Sequence, residues 1–137
     1  MRVRLTLDVE GVDGTRVLAD RNQLEALFLI LLSNAADAVG PEGTIAMSCA
    51  RSRQDSVEVR VADSGCGIDP EVLPHIFEPF FTTKAPGVGT GLGLAIASNI
   101  LQAHGGSVRL ESVPRQGTTA IVNLPVYHET SASEKSA

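Results

Sequence analysis

The stretch FEPFFTTKAPGVGTGLGLAIASNIL, residues 77 to 101, sets Gly87, Gly89, Gly91 and Gly93 against the start of an apolar helical run. Glycine loses more backbone freedom on folding than any other residue, so the cluster costs stability and needs a reason. A helix N-terminus presents unpaired N–H groups and roughly half a positive charge, and glycines there remove side chains that would block the oxygens of an anion. The stretch therefore predicts a second long helix, Leu92 to His104, stopped by Gly105 and Gly106, with a leading end suited to an anionic ligand. The chain carries a net charge of −5, so it has no general attraction for nucleic acid or anionic lipid. Any anion must be held by local features: backbone amides, a lysine or a metal.

Elsewhere the periodicities alternate between those of strand and helix. Val3, Leu5, Leu7 and Val9 alternate with polar residues as in a half-buried strand, and TRVLAD after Gly14 predicts its short partner. Asp20 with Gln23 three residues later fits a capping box, and Leu24, Leu27, Leu31, Ala35 and Ala38 recur at helical spacing until Gly40 and Pro41. GTIAMSCA and DSVEVRVAD predict two strands, the second with Val57, Val59 and Val61 on one face. Residues 64 to 90 are mostly loop with a short helical turn between Pro70 and Phe77, and a loop of that length in a compact domain marks either a functional lid or a wrong assignment. SVRLES and TTAIVNLPV predict a closing hairpin turned at VPRQG. The order predicts an α/β (α+β) two-layer sandwich, with a mixed, largely antiparallel sheet of about five strands and helices on one face.

With 137 residues and 43% apolar content, one substantial core and a single domain are expected, placed at residues 1–127 with a disordered tail at 128–137. Cys49 and Cys66 make neither a metal-ligand spacing nor a CxxC motif, which favours a reduced, cytoplasmic setting. The apolar run ALFLILL is far short of the roughly 20 residues a membrane helix requires, and the N-terminus lacks a signal peptide's apolar core. No GxxxxGK[ST] is present, and the glycines do not form GxGxxG after a strand, which excludes an ordinary P-loop and a Rossmann site.

Three segments stand in a fixed order: LILLSNAADAV (29–39), DSGCGI (63–68) and IFEPFFTTK (76–84) running on to GVGTGLGLAI (87–96). In sequence and order they resemble the N, G1, F and G2 boxes of the ATP-binding catalytic domain of bacterial sensor histidine kinases. That domain belongs to the gyrase, Hsp90, histidine kinase and MutL superfamily and has the Bergerat-type ATP-binding fold. The resemblance covers about residues 16 to 125 and implies Mg-ATP as ligand. It makes Asn34 the Mg²⁺ ligand and, with Lys84, the catalytic pair. Nucleotide contacts fall on Asn34 and Asp37 in the first box; Asp63, Gly65, Gly67 and Ile68 in the second; and Phe77, Thr82, Thr83 and Lys84 in the third. Gly89, Thr90, Gly91, Leu92, Gly93 and Leu94 follow in the fourth, and Thr118, in a last glycine box, supports the adenine pocket. An acidic side chain at Asp63 can accept a hydrogen bond from the adenine amine, whereas guanine presents an oxygen there, and a buried group left unpaired costs about 1–3 kcal/mol. Phe77, Phe80 and Phe81 would anchor the hinge of a lid by packing.

Two features depart from the pattern. Many relatives carry an asparagine where this chain has Ile30, and a glutamine-like or acidic residue where it has Ala26. No phosphoacceptor pattern surrounds His75, His104 or His128, so the resemblance places the acceptor histidine, with its dimerisation helices, outside these residues and the response regulator one step further on. Membrane attachment would belong to a longer parent protein. Two other readings remain open: a serine kinase of the anti-sigma-factor type, and a non-catalytic interaction module that binds nucleotide.

Overall fold

The structure, a computed structural model, describes residues 4–9, 15–52, 55–81 and 92–128. Strand β1 (Arg4–Val9) leads to helix α1 (Arg21–Ala38), then strands β2 (Thr44–Arg51) and β3 (Ser56–Asp63). A short 3₁₀ turn at Leu73–His75, helix α2 (Gly93–Ala103) and strands β4 (Ser107–Val113) and β5 (Gly117–Pro125) follow. The five strands form one sheet in the order β1-β2-β3-β5-β4, antiparallel except for β1 beside β2. That parallel pair has α1 as its crossover, the connection that parallel neighbours need. The expected mixed, largely antiparallel five-stranded sheet with two helices on one face is what forms.

Alternation along the strands decides where the core sits. Ile45, Met47 and Cys49 of β2, Val57, Val59 and Val61 of β3, Val108 and Leu110 of β4, and Ala120, Val122 and Leu124 of β5 pack in one cluster with Leu27, Leu31 and Ala35 of α1 and Ala97 and Leu101 of α2. Burial pushes the Cys49 thiol pKa up, as expected of an unreactive core cysteine. On the opposite side of the sheet Ile121 is also fully buried, flanked in register by Arg60 and Arg109. Their aliphatic stems can cover apolar surface while their charged ends reach Glu58 and Glu111 at 3.0 and 3.4 Å.

The helix ends follow the predicted signals with one substitution of partner. Asp20 caps α1 by accepting from the Gln23 N–H at 3.0 Å, but the reciprocal half of the capping box is taken by a histidine. The Asp20 N–H donates to Nε2 of His104 at 3.0 Å, so Nε2 is the unprotonated nitrogen and Nδ1 donates to the Ile100 carbonyl at 2.7 Å. The start of α1 is thereby tied to the end of α2. There Gly106 N–H bonds Leu101 O and Gly105 N–H bonds Gln102 O, the Schellman pattern that the Gly105-Gly106 stop predicted.

TRVLAD is not a strand: residues 15–20 carry no ladder, and among the described residues β1 pairs with β2 alone. The alternation is nonetheless real: Val17 packs on the core, Leu18 is 74% exposed, and the Arg16 carbonyl accepts from Tyr127 N–H at 2.7 Å. An extended segment with one buried face gives the same period of two as a strand. The expected disordered tail lies outside the described residues from 129 onward.

Leu27, fully buried where α1 meets the sheet, and Leu29, 69% exposed on the same helix, provide a matched test. Leu27→Ala should lower unfolding free energy by about 2–5 kcal/mol in a urea titration. Leu29→Ala should change it by less than about 0.5 kcal/mol.

Candidate functional site

The alternation that buries Val57, Val59 and Val61 continues to the last residue of β3, so Asp63 faces the helix layer instead of solvent. Register aligns it across the sheet with Ile45 on one side and with Thr118 and then Ser112 on the other. One carboxylate oxygen, Oδ1, accepts from Gly65 N–H at 2.8 Å and from Thr118 N–H at 3.3 Å. The other, Oδ2, has no partner among the described residues. Burial pushes the Asp63 pKa above the ordinary carboxylate value, and the Gly65 and Thr118 amides offset part of that rise.

The turn after Asp63 is held from three directions. Ser64 N–H bonds Thr44 O at 3.0 Å and its hydroxyl accepts from Thr44 N–H at 2.9 Å, fixing the turn to the start of β2. Gly65 is buried against the last turn of α1, where Cys66 N–H bonds the Ala38 carbonyl at 3.2 Å; a Cβ on Gly65 would collide with that carbonyl. Gly67 has φ +74°, and a Cβ there would strike the Val113 carbonyl on the β4–β5 turn. From that hairpin Arg115 N–H reaches Cys66 O at 2.6 Å, and the Ser112 hydroxyl accepts from Ile68 N–H at 2.7 Å. The glycines of DSGCGI thus let the turn fit between α1 and the hairpin, and Cys66 itself stays exposed.

Asn34 lies half-buried on α1, between the buried Leu31 and Ala35, and its amide has no partner among the described residues. Asp37, three residues on, is exposed. Ile30, one turn before Asn34, packs on the core and toward the first residue of α2: a Cβ on Gly93 would lie 3.3 Å from Ile30 Cγ2. The position where the resemblance leads one to expect a second asparagine therefore joins the two helices by apolar contact. Leu92 caps α2 without a side-chain cap bond, and Leu94 packs against the core. No group of three or more His, Cys, Asp or Glu side chains among the described residues could cage a metal. A lone amide oxygen at Asn34 suits Mg²⁺, which keeps its waters and needs few protein ligands when phosphates supply the rest.

Of the phenylalanines expected to anchor a lid, Phe77 and Phe81 are half-buried, Phe81 lying 5.8 Å from the His75 ring. Phe80 is instead 73% exposed at φ 68°, so it does not anchor the hinge by packing within the described residues. Thr82, Thr83, Lys84, Gly89, Thr90 and Gly91 lie outside the described residues. His75 pairs with Glu78 at 2.9 Å, and His128 with Asp55 at 2.6 Å. With His104 bound to Asp20, all three histidines have structural partners. An open apolar groove of about 660 Å³ lies apart, lined by Val17, Leu24, Phe28, Leu29, Leu32 and Met47. Its charged members, Arg21 and Glu25, pair with each other, so it lacks the convergent polar groups that orient a small ligand.

Ser112 was not singled out by any motif. It joins Ile68, Gly117 and Thr118 in one hydrogen-bonded knot beside Asp63 because β4 pairs with β5 in this register.

Comparison with known proteins agrees with this arrangement. Residues 19–128 match the family model described as histidine kinase-, DNA gyrase B-, and HSP90-like ATPase, and the chain belongs to that family. Within it the chain stands with the catalytic domains of histidine kinases. It is 44% identical over 111 residues to sensor histidine kinase ZraS of Salmonella typhimurium, covering 81% of this chain and 23% of ZraS. To signal transduction histidine-protein kinase AtoS of Escherichia coli it is 41% identical, covering 79% of this chain and 17% of AtoS. The chain therefore spans under a quarter of either relative. Among solved structures, the nucleotide-free catalytic domain of histidine kinase ThkA superposes with a TM-score of 0.78 at 35% identity, covering 90% of this chain and 78% of that one. Full-length ShkA in complex with AMPPNP gives 0.79 at 29% identity, covering 90% of this chain and 26% of that one.

Gly67→Ala should lower stability by about 1–3 kcal/mol, because a left-handed non-glycine residue is strained and its Cβ meets the hairpin. Gly40, with open space around it, is the control: Gly40→Ala should shift the urea midpoint little.

Proposed function

We propose that this chain binds Mg-ATP and presents its γ-phosphate to a histidine on a separate dimerisation and phosphoacceptor domain. The observation that carries the reading is the Asp63 carboxylate. It is half-buried and fixed through one oxygen by two backbone amides, and the other oxygen has no partner among the described residues. A preorganised acceptor of that kind, at the end of β3, suits the adenine amine, and membership of a family of ATPases supports the reading. Gly65 and Gly67 shape the wall beside the ring, with Ile68 and Thr118 on the hairpin side. Asn34 and Asp37 lie on α1, where Asn34 would give one oxygen to the metal.

Phosphoryl transfer depends mainly on positioning and charge neutralisation. Bound Mg²⁺ supplies that neutralisation at the phosphates. Lys84, Thr82, Thr83, Phe77 and the glycine stretch through Gly89, Thr90 and Gly91 to Leu92, Gly93 and Leu94 are assigned to the lid and phosphate cradle, with amides at the start of α2 facing the anion. The folded unit is assigned to residues 1–127. Among the described residues no helix is long and apolar enough to cross a membrane, which suits a cytoplasmic catalytic unit, whatever its parent carries. Ile30, packed between the helices, favours a second reading as a nucleotide-binding module without transfer.

ADP should bind to the wild type in calorimetry, and Asp63→Asn should weaken it at least about tenfold, since a donor then faces the amine. Unchanged binding in Asp63→Asn rejects this role for Asp63. Mixing the chain with a matching acceptor hairpin and labelled ATP should give an acid-labile phosphohistidine, and its absence with intact binding selects the module reading.

The raised Asp63 pKa also sets a pH dependence. The folded state holds this proton more tightly than the unfolded chain, so between the two pKa values this residue's contribution to stability falls as pH rises. Nucleotide affinity should run the other way, falling on acidification from a higher pH than an ordinary aspartate would impose. That dependence should be absent in Asp63→Asn.

A further inference from the structure

Ser112 Oγ has one proton and two lone pairs, and its neighbours account for all three. Ile68 N–H fills one lone pair at 2.7 Å. The Gly117 carbonyl, 3.1 Å away, can only accept, so it takes the serine proton. The remaining contact is to Thr118 Oγ1 at 3.0 Å, and it is satisfied only if Thr118 donates into the second lone pair. Thr118 has a single hydroxyl proton, and it is spent here. What Thr118 can still offer from Oγ1 is lone pairs alone.

We infer that Ser112 is a positioning residue for base selection: it holds the Thr118 hydroxyl as a pure acceptor beside Asp63 Oδ2, so that two acceptors and no hydroxyl donor meet the base. This rests on the nucleotide reading of Asp63 given above. Asp63 and Thr118 are register partners on the helix side of the sheet, and the Thr118 N–H bonds Asp63 Oδ1, so both side chains stand side by side on one face. A 6-amino purine brings N–H groups to such an edge, either directly or through a water. At the 6-position a 6-oxo purine brings a carbonyl oxygen instead, which meets acceptors on both sides; its N1–H, which adenine lacks, can still donate, so the selection acts at the 6-substituent. A threonine hydroxyl free to rotate would rescue that carbonyl by donating to it, and Ser112 withholds the rotation. Selectivity of this kind is directional and leaves the pocket's volume unchanged.

The test uses the 137-residue chain with ADP and inosine diphosphate, whose bases share a ring outline and differ at the 6-substituent and N1. Wild type should favour ADP, and Ser112→Ala should narrow the ADP-to-IDP affinity ratio by about tenfold, the scale of one redirected hydrogen bond. The lost partner of Ile68 N–H weakens both ligands alike and cancels in the ratio. In a Thr118→Val background Ser112→Ala should leave the ratio unchanged, because no hydroxyl remains to turn, while Ser112→Thr in the wild-type background should preserve the ratio. Equal weakening of both nucleotides by Ser112→Ala overturns the inference, as does a change in ratio that persists in the Thr118→Val background. A wild type that binds neither nucleotide overturns the nucleotide reading as well.

Discussion

The register of β3 is the constraint on which the rest depends. Val57, Val59, Val61 and Asp63 occupy one side of a central strand, so a single alternation both closes the core and delivers a carboxylate to the rim of the helix layer. A slip of one residue would turn the valines to solvent and take Asp63 out of reach of the Gly65 and Thr118 amides. Hydrophobic burial thus enforces the placement of a charged group that gains nothing from burial itself. The rise in the Asp63 pKa measures that tension, and the two amides limit it.

The turn that follows is stabilised from outside its own sequence. Its amides and carbonyls end on Thr44, Ala38, Ser112 and Arg115, which belong to β2, α1, β4 and the closing hairpin turn. Glycines at 65 and 67 do not loosen it; they permit close approach on both sides, and the contacts then hold it rigidly. This is why the site can sit at a junction of four elements and still have a defined shape.

What could be read in the sequence was local or periodic. Helix α1 came from Asp20 and the leucine spacing, β3 from its valines, the stop of α2 from two glycines, and Asp63 from a short motif after a strand. What escaped was set by distant partners. TRVLAD has a strand's alternation, yet β1 pairs in parallel with β2, 35 or more residues further on, which local pattern does not encode. Gln23 promised a capping box, but His104, 84 residues away along the chain, supplied the acceptor for Asp20. Ser112 belongs to no motif and acquires its neighbours only through the β4–β5 register. Phe80 matched its box and still turned outward, because a residue type does not fix the direction of a turn.

The surroundings of Ile121 suit the two-layer architecture of the described residues. An apolar side chain on the rear of a sheet ordinarily calls for a further sheet or helix to seal it. Here two long cations stand beside it in register on neighbouring strands, each paired with an acid on its own strand, and their stems can cover it. Charged side chains and one apolar residue thus share the rear of the sheet, and the charges offset the apolar surface beside them.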